Sequence, residues 1–276
     1  MSMNKSITLN SSKAKVYKFW NKKSCGEALY LKKNNRKGYQ LQSEERYRLE
    51  PEIISFADFL STKGKKVLEI GVGLGAEHQY FAEAGAKLYG IDLTKRAVLH
   101  ARRRLRLFKL SSRLSVGDAE ALNFPKETFD YVYSWGVLHH TPNTPKAINE
   151  IHRVLKKNGI AKIMIYHKWS MVGIMLWVRY ALLVGRPWTS LENIYAMYLE
   201  SPGTKAYSLS KARQLFRDFR KVKITIKLSH ADLLASNVGQ RHRGILLNFI
   251  KRIWPAWFIR TFFPNLGLNM LIEVKK

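Results

Sequence analysis

The chain has 276 residues, 46% of them hydrophobic, and a formal net charge of +28. That length allows one large domain, or a core with a cap, and a substantial buried interior. Cys25 is the only cysteine, which excludes an intramolecular disulfide and leads us to expect a reducing, cytoplasmic setting. Residues 1–15 are rich in Ser, Asn and Lys without an apolar run, so no secretory signal is expected there. Basic residues are dense over residues 1–50, in Arg102-Arg103-Arg104-Leu105-Arg106 and over residues 205–276. Such a field attracts polyanions: nucleic acid, an acidic membrane surface or a phosphorylated substrate. A generally basic proteome is the plainer alternative.

In chain order, residues 1–60 read as an N-terminal helical extension. Tyr17, Phe19 and Trp20 form an apolar anchor, and 40–60 reads as an amphipathic helix interrupted at Pro51. Strand and helix signals then alternate. Residues 65–70 are a first strand, 76–84 a helix stopped by Gly85, and 87–91 a second strand. Thr94 caps a helix reaching about Leu110, with Ala97, Val98, Ala101, Leu105 and Phe108 inward. Residues 114–116 and 131–133 are short strands, and Thr144-Pro145 opens a helix. Residues 160–166 are an apolar strand suited to the middle of a parallel sheet. This rhythm indicates a doubly wound α/β sheet.

The sharpest motif is Val67-Leu68-Glu69-Ile70-Gly71-Val72-Gly73-Leu74-Gly75-Ala76, answered by Gly90-Ile91-Asp92. A buried strand, a glycine-rich turn and a second strand ending in a carboxylate form a half-site for an adenosine cofactor. Bare backbone lets the ligand approach closely, and Asp92 is positioned to accept hydrogen bonds from two ribose hydroxyls. The spacing fits both G-x-G-x-x-G/A, the dinucleotide pattern, and E-x-G-x-G-x-G.

Three later blocks follow in order: Gly117-Asp118-Ala119-Glu120-Ala121-Leu122-Asn123-Phe124-Pro125, then residues 129–140 ending Ser134-Trp135-Gly136-Val137-Leu138-His139-His140, then residues 151–159. With Glu69 and the glycines, they resemble the class I S-adenosylmethionine-dependent methyltransferases, in particular the ubiquinone/menaquinone C-methyltransferase-like group. The resemblance covers roughly residues 65–167.

It implies a Rossmann-like, mostly parallel seven-stranded sheet. The cofactor-binding core would span 61–167, and 168–276 would supply cap segments plus the last helix and two strands, at 210–219, 222–228 and 268–274. It implies S-adenosylmethionine as cofactor, no metal, and a cofactor site of Glu69, Gly71, Gly73, Gly75, Asp92, Leu93, Asp118, Ala119, Ser134 and Trp135. Glu69 would orient the loop and meet the methionyl amino group, and Asp118 would take the adenine amino group. Arg46 or Tyr47 would fold over the methionyl end, unless that helix face is simply solvated. His78, His100, His152 and His167 look scattered, with no metal-site spacing.

Methyl transfer is a direct displacement, so a base is needed only if the acceptor must lose a proton. His140 and His139 are the candidates, with buttressing of the loop as the alternative. The segments 168–207 and 229–265 carry five of the seven tryptophans and read as a cap forming the acceptor pocket, with Tyr47, Trp169 and Tyr207 as candidate lining residues. The run 170–185 contains Arg179 and is short for a membrane span, while 245–263 has the composition of an interfacial helix or of a packed cap. The expected acceptor is a small or lipid-like molecule, with peripheral contact to an anionic membrane as a further expectation. RNA methylation and non-catalytic cofactor binding are the alternatives.

Overall fold

A computed structural model describes residues 11–235 and 254–276. Seven strands form one sheet: β1 (Lys66–Ile70), β2 (Lys87–Asp92), β3 (Arg113–Val116), β4 (Phe129–Trp135), β5 (Leu155–Tyr166), β6 (Lys221–Lys227) and β7 (Asn269–Lys275). Their spatial order is β3-β2-β1-β4-β5-β7-β6, and only β7 runs antiparallel to its neighbours. The doubly wound sheet expected from the sequence is therefore present, including the late strands that local pattern alone did not suggest. Chain order reverses between β1 and β4, and ligands of such sheets bind beyond the carboxyl ends of the strands at that point. Glu69 pairs in register with Gly90 on one side and Tyr133 on the other, which fixes where the glycine turn emerges.

Alternation along each strand divides the core between two faces. Leu68 and Ile70 join Ile148, Ile151 and Phe216 on one face, whereas Val67 joins Ile53, Phe81 and Tyr133 on the other. The helices that cover the sheet are α5 (Ala76–Glu83), α6 (Lys95–Phe108), α7 (Thr144–Val154) and α10 (Leu209–Leu215). Helix α6 starts where Thr94 Oγ1 accepts the Ala97 N–H, and α7 starts with Asn143 capping Lys146 and proline in its first turn.

Two groups of elements lie outside the sheet. Ahead of β1 are α1 (Ser11–Lys22), α2 (Glu27–Tyr30), α3 (Arg36–Leu49) and α4 (Glu52–Ala57), broken near Pro51. After β5 come α8 (Met171–Tyr180), α9 (Leu191–Ile194) continuing into a π-helical turn at Tyr195–Leu199, and α11 (Ala256–Phe262) before β7. Val172, Leu176, Ile194, Tyr195 and Leu268 form a separate small core there.

Arg104 docks α3 on α5, α6 and the turn after β1. Its guanidinium is fully buried and donates to Gln79, Gln42 and Ser43 side chains and to the carbonyls of Leu74 and Tyr39. A buried cation is tolerated when its donors are satisfied, and here five neutral acceptors do so.

Of the expected interfacial segment 245–263, residues 245–253 lie outside the described residues. In α11, Ile259 is buried while Trp257 and Phe262 are exposed. No helix among the described residues is long and apolar enough to cross a membrane.

Candidate cofactor and acceptor site

The turn between β1 and α5 is built from glycines with different duties. Gly71 has φ +84°, and a Cβ there would lie 2.1 Å from Val137 Cγ2, so a side chain is excluded by the fold itself. Gly73 has φ +50° and nothing within 4 Å of a would-be Cβ, so its bare backbone faces open space. Gly75 caps α5 and packs on the backbone of Ala101, away from the cavity lining. The third glycine, expected at the cofactor site, is thus placed in the packing of α5 on α6.

Asp92 ends β2 beside this turn. Its Oδ2 accepts the Gly73 N–H at 3.2 Å, and its Oδ1 accepts the Thr94 N–H and Oγ1–H, both at 2.9 Å. Burial pushes its carboxyl upward against these three bonds. The carboxylate is thereby fixed in direction, with lone pairs remaining for hydroxyl donors.

Glu69 is buried, and its Oε2 lies 2.7 Å from His78 Nδ1. Ser112 Oγ donates to the Leu88 carbonyl and so accepts from His78 Nε2 at 2.8 Å, which leaves one proton shared between Nδ1 and Glu69. Burial drives both partners toward their neutral forms, His78 to about 3 and Glu69 well above the usual carboxyl range. His78, read as scattered from the sequence, is the residue that orients Glu69. They are nine positions apart, and only the strand-turn-helix path brings them together.

One cavity of about 320 Å³ is lined by Glu69, Gly71, Gly73, Asp92, Leu93, Asp118, Ala119 and Trp135. Ligand sites commonly begin near this size. The donor and acceptor set fits the adenosine and methionyl parts of S-adenosylmethionine. Paired carboxylate lone pairs stand at Asp92, bare backbone at Gly73, and a second carboxyl group at Glu69. Ser134 is not among the residues of that wall. It is fully buried beneath the turn, and its hydroxyl donates to the Ile70 carbonyl. Asp118 accepts from the Glu120 N–H at 2.9 Å and from Lys13 Nζ at 2.5 Å.

The same cavity continues under the N-terminal cover and the later helices, past Trp20, His140, Tyr166, Val172, Leu176 and Glu200. Glu200 follows the π-helical turn, an irregularity often found at functional positions. Its Oε2 accepts from Tyr166 Oη at 2.8 Å and lies 3.2 Å from His140 Nε2. Burial opposes ionisation, yet His140 and Tyr166 hold the Glu200 carboxyl below its ordinary range. His140 Nδ1 is held by Ser201 and Thr204 hydroxyls at 2.9 and 3.1 Å. Sequence reading missed Glu200 because it sits in an irregular stretch with no motif around it.

The remaining expected residues are placed elsewhere. His139 is fully buried, stacks on Tyr166 with ring centroids 3.8 Å apart, and is absent from the cavity wall. Neither of its ring nitrogens has a hydrogen-bond partner, and burial holds it neutral. Tyr47 and Tyr207 are buried in the two main cores, and Trp169 is half exposed, so none of the three lines the cavity. Trp188 and Trp257 are also exposed, and the acceptor side is walled by aliphatic cap residues instead. Arg46 does reach the cavity, but it is paired with Glu77 at 2.5 Å and Glu50 at 3.1 Å. His139, His140 and Glu200 bring ligating atoms within 4.8 Å of one another, the single such group among the described residues.

A family model described as "Methyltransferase domain" matches residues 68–163, the stretch that supplies the glycine turn, Asp92, Asp118 and His140. Residues 68–163 are thus similar to a methyltransferase domain. Over 118 residues the chain is 36% identical to phosphoethanolamine N-methyltransferase 2 of Caenorhabditis elegans, covering 42% of this chain and 26% of that one. Over 99 residues it is 35% identical to demethylmenaquinone methyltransferase of Tropheryma whipplei (strain Twist), covering 36% and 40%. The matches thus span less than half of those two relatives. The methyltransferase fold extends further than the sequence match. A phosphoethanolamine N-methyltransferase 2 from Haemonchus contortus superposes with a TM-score of 0.56 at 18% identity, over 82% of this chain and 52% of that one.

Proposed function

We propose that this domain transfers a methyl group from S-adenosylmethionine to a small or lipid-like acceptor by direct displacement. The observation that carries this reading is the continuity of one cavity. Glu69, Gly73 and Asp92 stand at one end, and Trp20, Tyr166, Val172, Leu176 and Glu200 stand at the other.

Bound S-adenosylmethionine supplies an activated sulfonium methyl with a good leaving group. The protein's own work is then to align an acceptor with that methyl and to keep water out. Asp92 would hold the ribose hydroxyls, and Glu69, aimed by His78, the methionyl amino group. The lid of α1 and the aliphatic wall of α8 would exclude solvent. Relatives whose names specify phosphoethanolamine, demethylmenaquinone and sterol acceptors agree with a small or lipid-like class without choosing among its members.

The test is calorimetric titration with S-adenosylhomocysteine, with NAD as control. Micromolar binding of the thioether is expected, with none of NAD. The Asp92→Ala variant should lose at least about tenfold in affinity, since hydrogen bonds to a charged group contribute roughly 1.5–3 kcal/mol each. Binding of NAD in place of the thioether would sink the proposal.

A further inference from the structure

The charge of the cavity is opposite to that of the protein. Among the described residues, Lys13 and Arg46 are the Lys and Arg that line it, whereas its acidic lining is Glu50, Glu69, Glu77, Asp92, Asp118 and Glu200. Both basic residues are already paired with carboxylates, Lys13 with Asp118 and Glu120, Arg46 with Glu77 and Glu50. Among the described residues, the acceptor end therefore offers a phosphate or carboxylate no cation that lacks a carboxylate partner.

What that end does offer is Glu200. Both of its recorded bonds, from Tyr166 Oη and His140 Nε2, fall on Oε2, and Oε1 has no partner among the described residues. The carboxylate borders the cavity together with the rings of Trp20 and Tyr166. An anionic oxygen in a wall that also carries aromatic rings is suited to a cationic nitrogen. Beyond it, Val172, Leu176, Leu199 and Leu268 give the wall an apolar continuation.

We infer that the acceptor is an amine with an apolar body, its nitrogen held by Glu200 Oε1 beside Trp20 and Tyr166. This rests on the methyltransferase reading and narrows its substrate class. Charge accounting gives the reason. The amine binds as ammonium and loses one proton to water. The nitrogen lone pair then forms the N–C bond, the C–S bond breaks, and its electron pair stays on sulfur as a neutral thioether. The positive charge of the sulfonium is thereby transferred to nitrogen, next to Glu200. A carboxylate there stabilises a nucleophile that becomes cationic as it reacts. It opposes a phenolate or enolate, whose negative charge would have to lie beside it.

The experiment uses the full chain saturated with S-adenosylhomocysteine, titrated with octylamine, octanoate, octyl phosphate and 4-octylphenol. Methyl transfer to each is then followed from labelled S-adenosylmethionine. Octylamine should bind at least about tenfold tighter than the others, a difference of about 1.4 kcal/mol, and should be the one that is methylated. Glu200→Gln should remove that preference while keeping thioether affinity. Glu200→Asp, which keeps the charge, should retain part of it. Equal or tighter binding of the phenol, carboxylate or phosphate, or an undiminished amine preference in Glu200→Gln, would overturn the inference and leave the methyltransferase reading standing. Failure of the wild-type chain to bind the thioether would instead remove the cofactor reading, and this inference with it.

Discussion

Lys13 on α1 places its ammonium 2.5 Å from Oδ2 of Asp118, a residue 105 positions further along the chain. Both side chains are largely buried, and the same ammonium lies 2.8 Å from Glu120. This contact ties the N-terminal cover to the carboxylate expected to receive the adenine amino group. Helix α1 also carries Val16 and Trp20 into the cavity wall, with Trp20 edge-on to His140 at 5.3 Å. The helix therefore covers part of the cavity and is fastened at Asp118 and Glu120.

If the fastening controls access, Lys13→Met loosens it by on the order of 1.5–3 kcal/mol, the worth of a hydrogen bond to a charged partner. Association and release of S-adenosylhomocysteine should both accelerate, by roughly tenfold or more. Stopped-flow fluorescence reads this directly, because Trp20 lies on the moving helix. Unchanged rates in both directions would show that α1 does not gate the site.

Gly71 and Gly73, the turn glycines that line the cavity, should respond differently to alanine. Gly71→Ala drives a methyl group into Val137 and is expected to destabilise the fold by at least about 1–3 kcal/mol, as overpacking does. Gly73→Ala meets no protein atom, so its cost in stability is the backbone strain of a positive φ, about 1 kcal/mol. Its larger effect should be on ligand affinity, since the new methyl occupies space beside Asp92. Thermal denaturation and thioether titration on both variants separate the two roles. A Gly73→Ala protein that binds normally would show that the ligand does not approach this backbone.

His139 carries two buried ring nitrogens without partners, and burial, His140 and Lys205 all hold it below its ordinary value of 6.5. The unfolded chain therefore binds a proton at this residue below about pH 6.5 that the native chain refuses. Native stability must fall as pH falls through that window, by about 1.4 kcal/mol per pH unit for one proton. His139→Phe keeps an aromatic ring against Tyr166 and removes both polar atoms. We expect it to raise stability at pH 7.5 by about 1 kcal/mol, to flatten the decline toward pH 5 relative to the parent chain, and to leave methyl transfer intact. Denaturant titrations at the two pH values check the first two points. Loss of turnover with retained thioether binding would return His139 to the chemistry.

Arg104 shows how far a charge run can be read. In the sequence it is the third arginine of a basic stretch on an amphipathic helix, and the natural reading is a solvated face that draws polyanions. In the fold, Arg102 and Arg103 are exposed while Arg104 is fully enclosed. The reason is that α3, some sixty residues earlier, brings Gln42, Ser43 and the Tyr39 carbonyl over it. No local pattern encodes that arrival.

The half-site was legible because its chemistry is local. The glycine turn, the strand ends at Glu69 and Asp92, and the cap at Thr94 are set by backbone geometry over a few consecutive residues, and the sequence alone determined them. The acceptor end is the opposite case. Glu200 gains its meaning from His140 and Tyr166, 60 and 34 residues away in the chain by numbering, and its place in the wall from the packing of the cap. The tryptophans that composition pointed to are instead largely turned outward. Net charge sums a surface and does not say which charges face inward. Only the tertiary structure decides which few charges face inward, and it turned carboxylates into the cavity of a strongly basic chain.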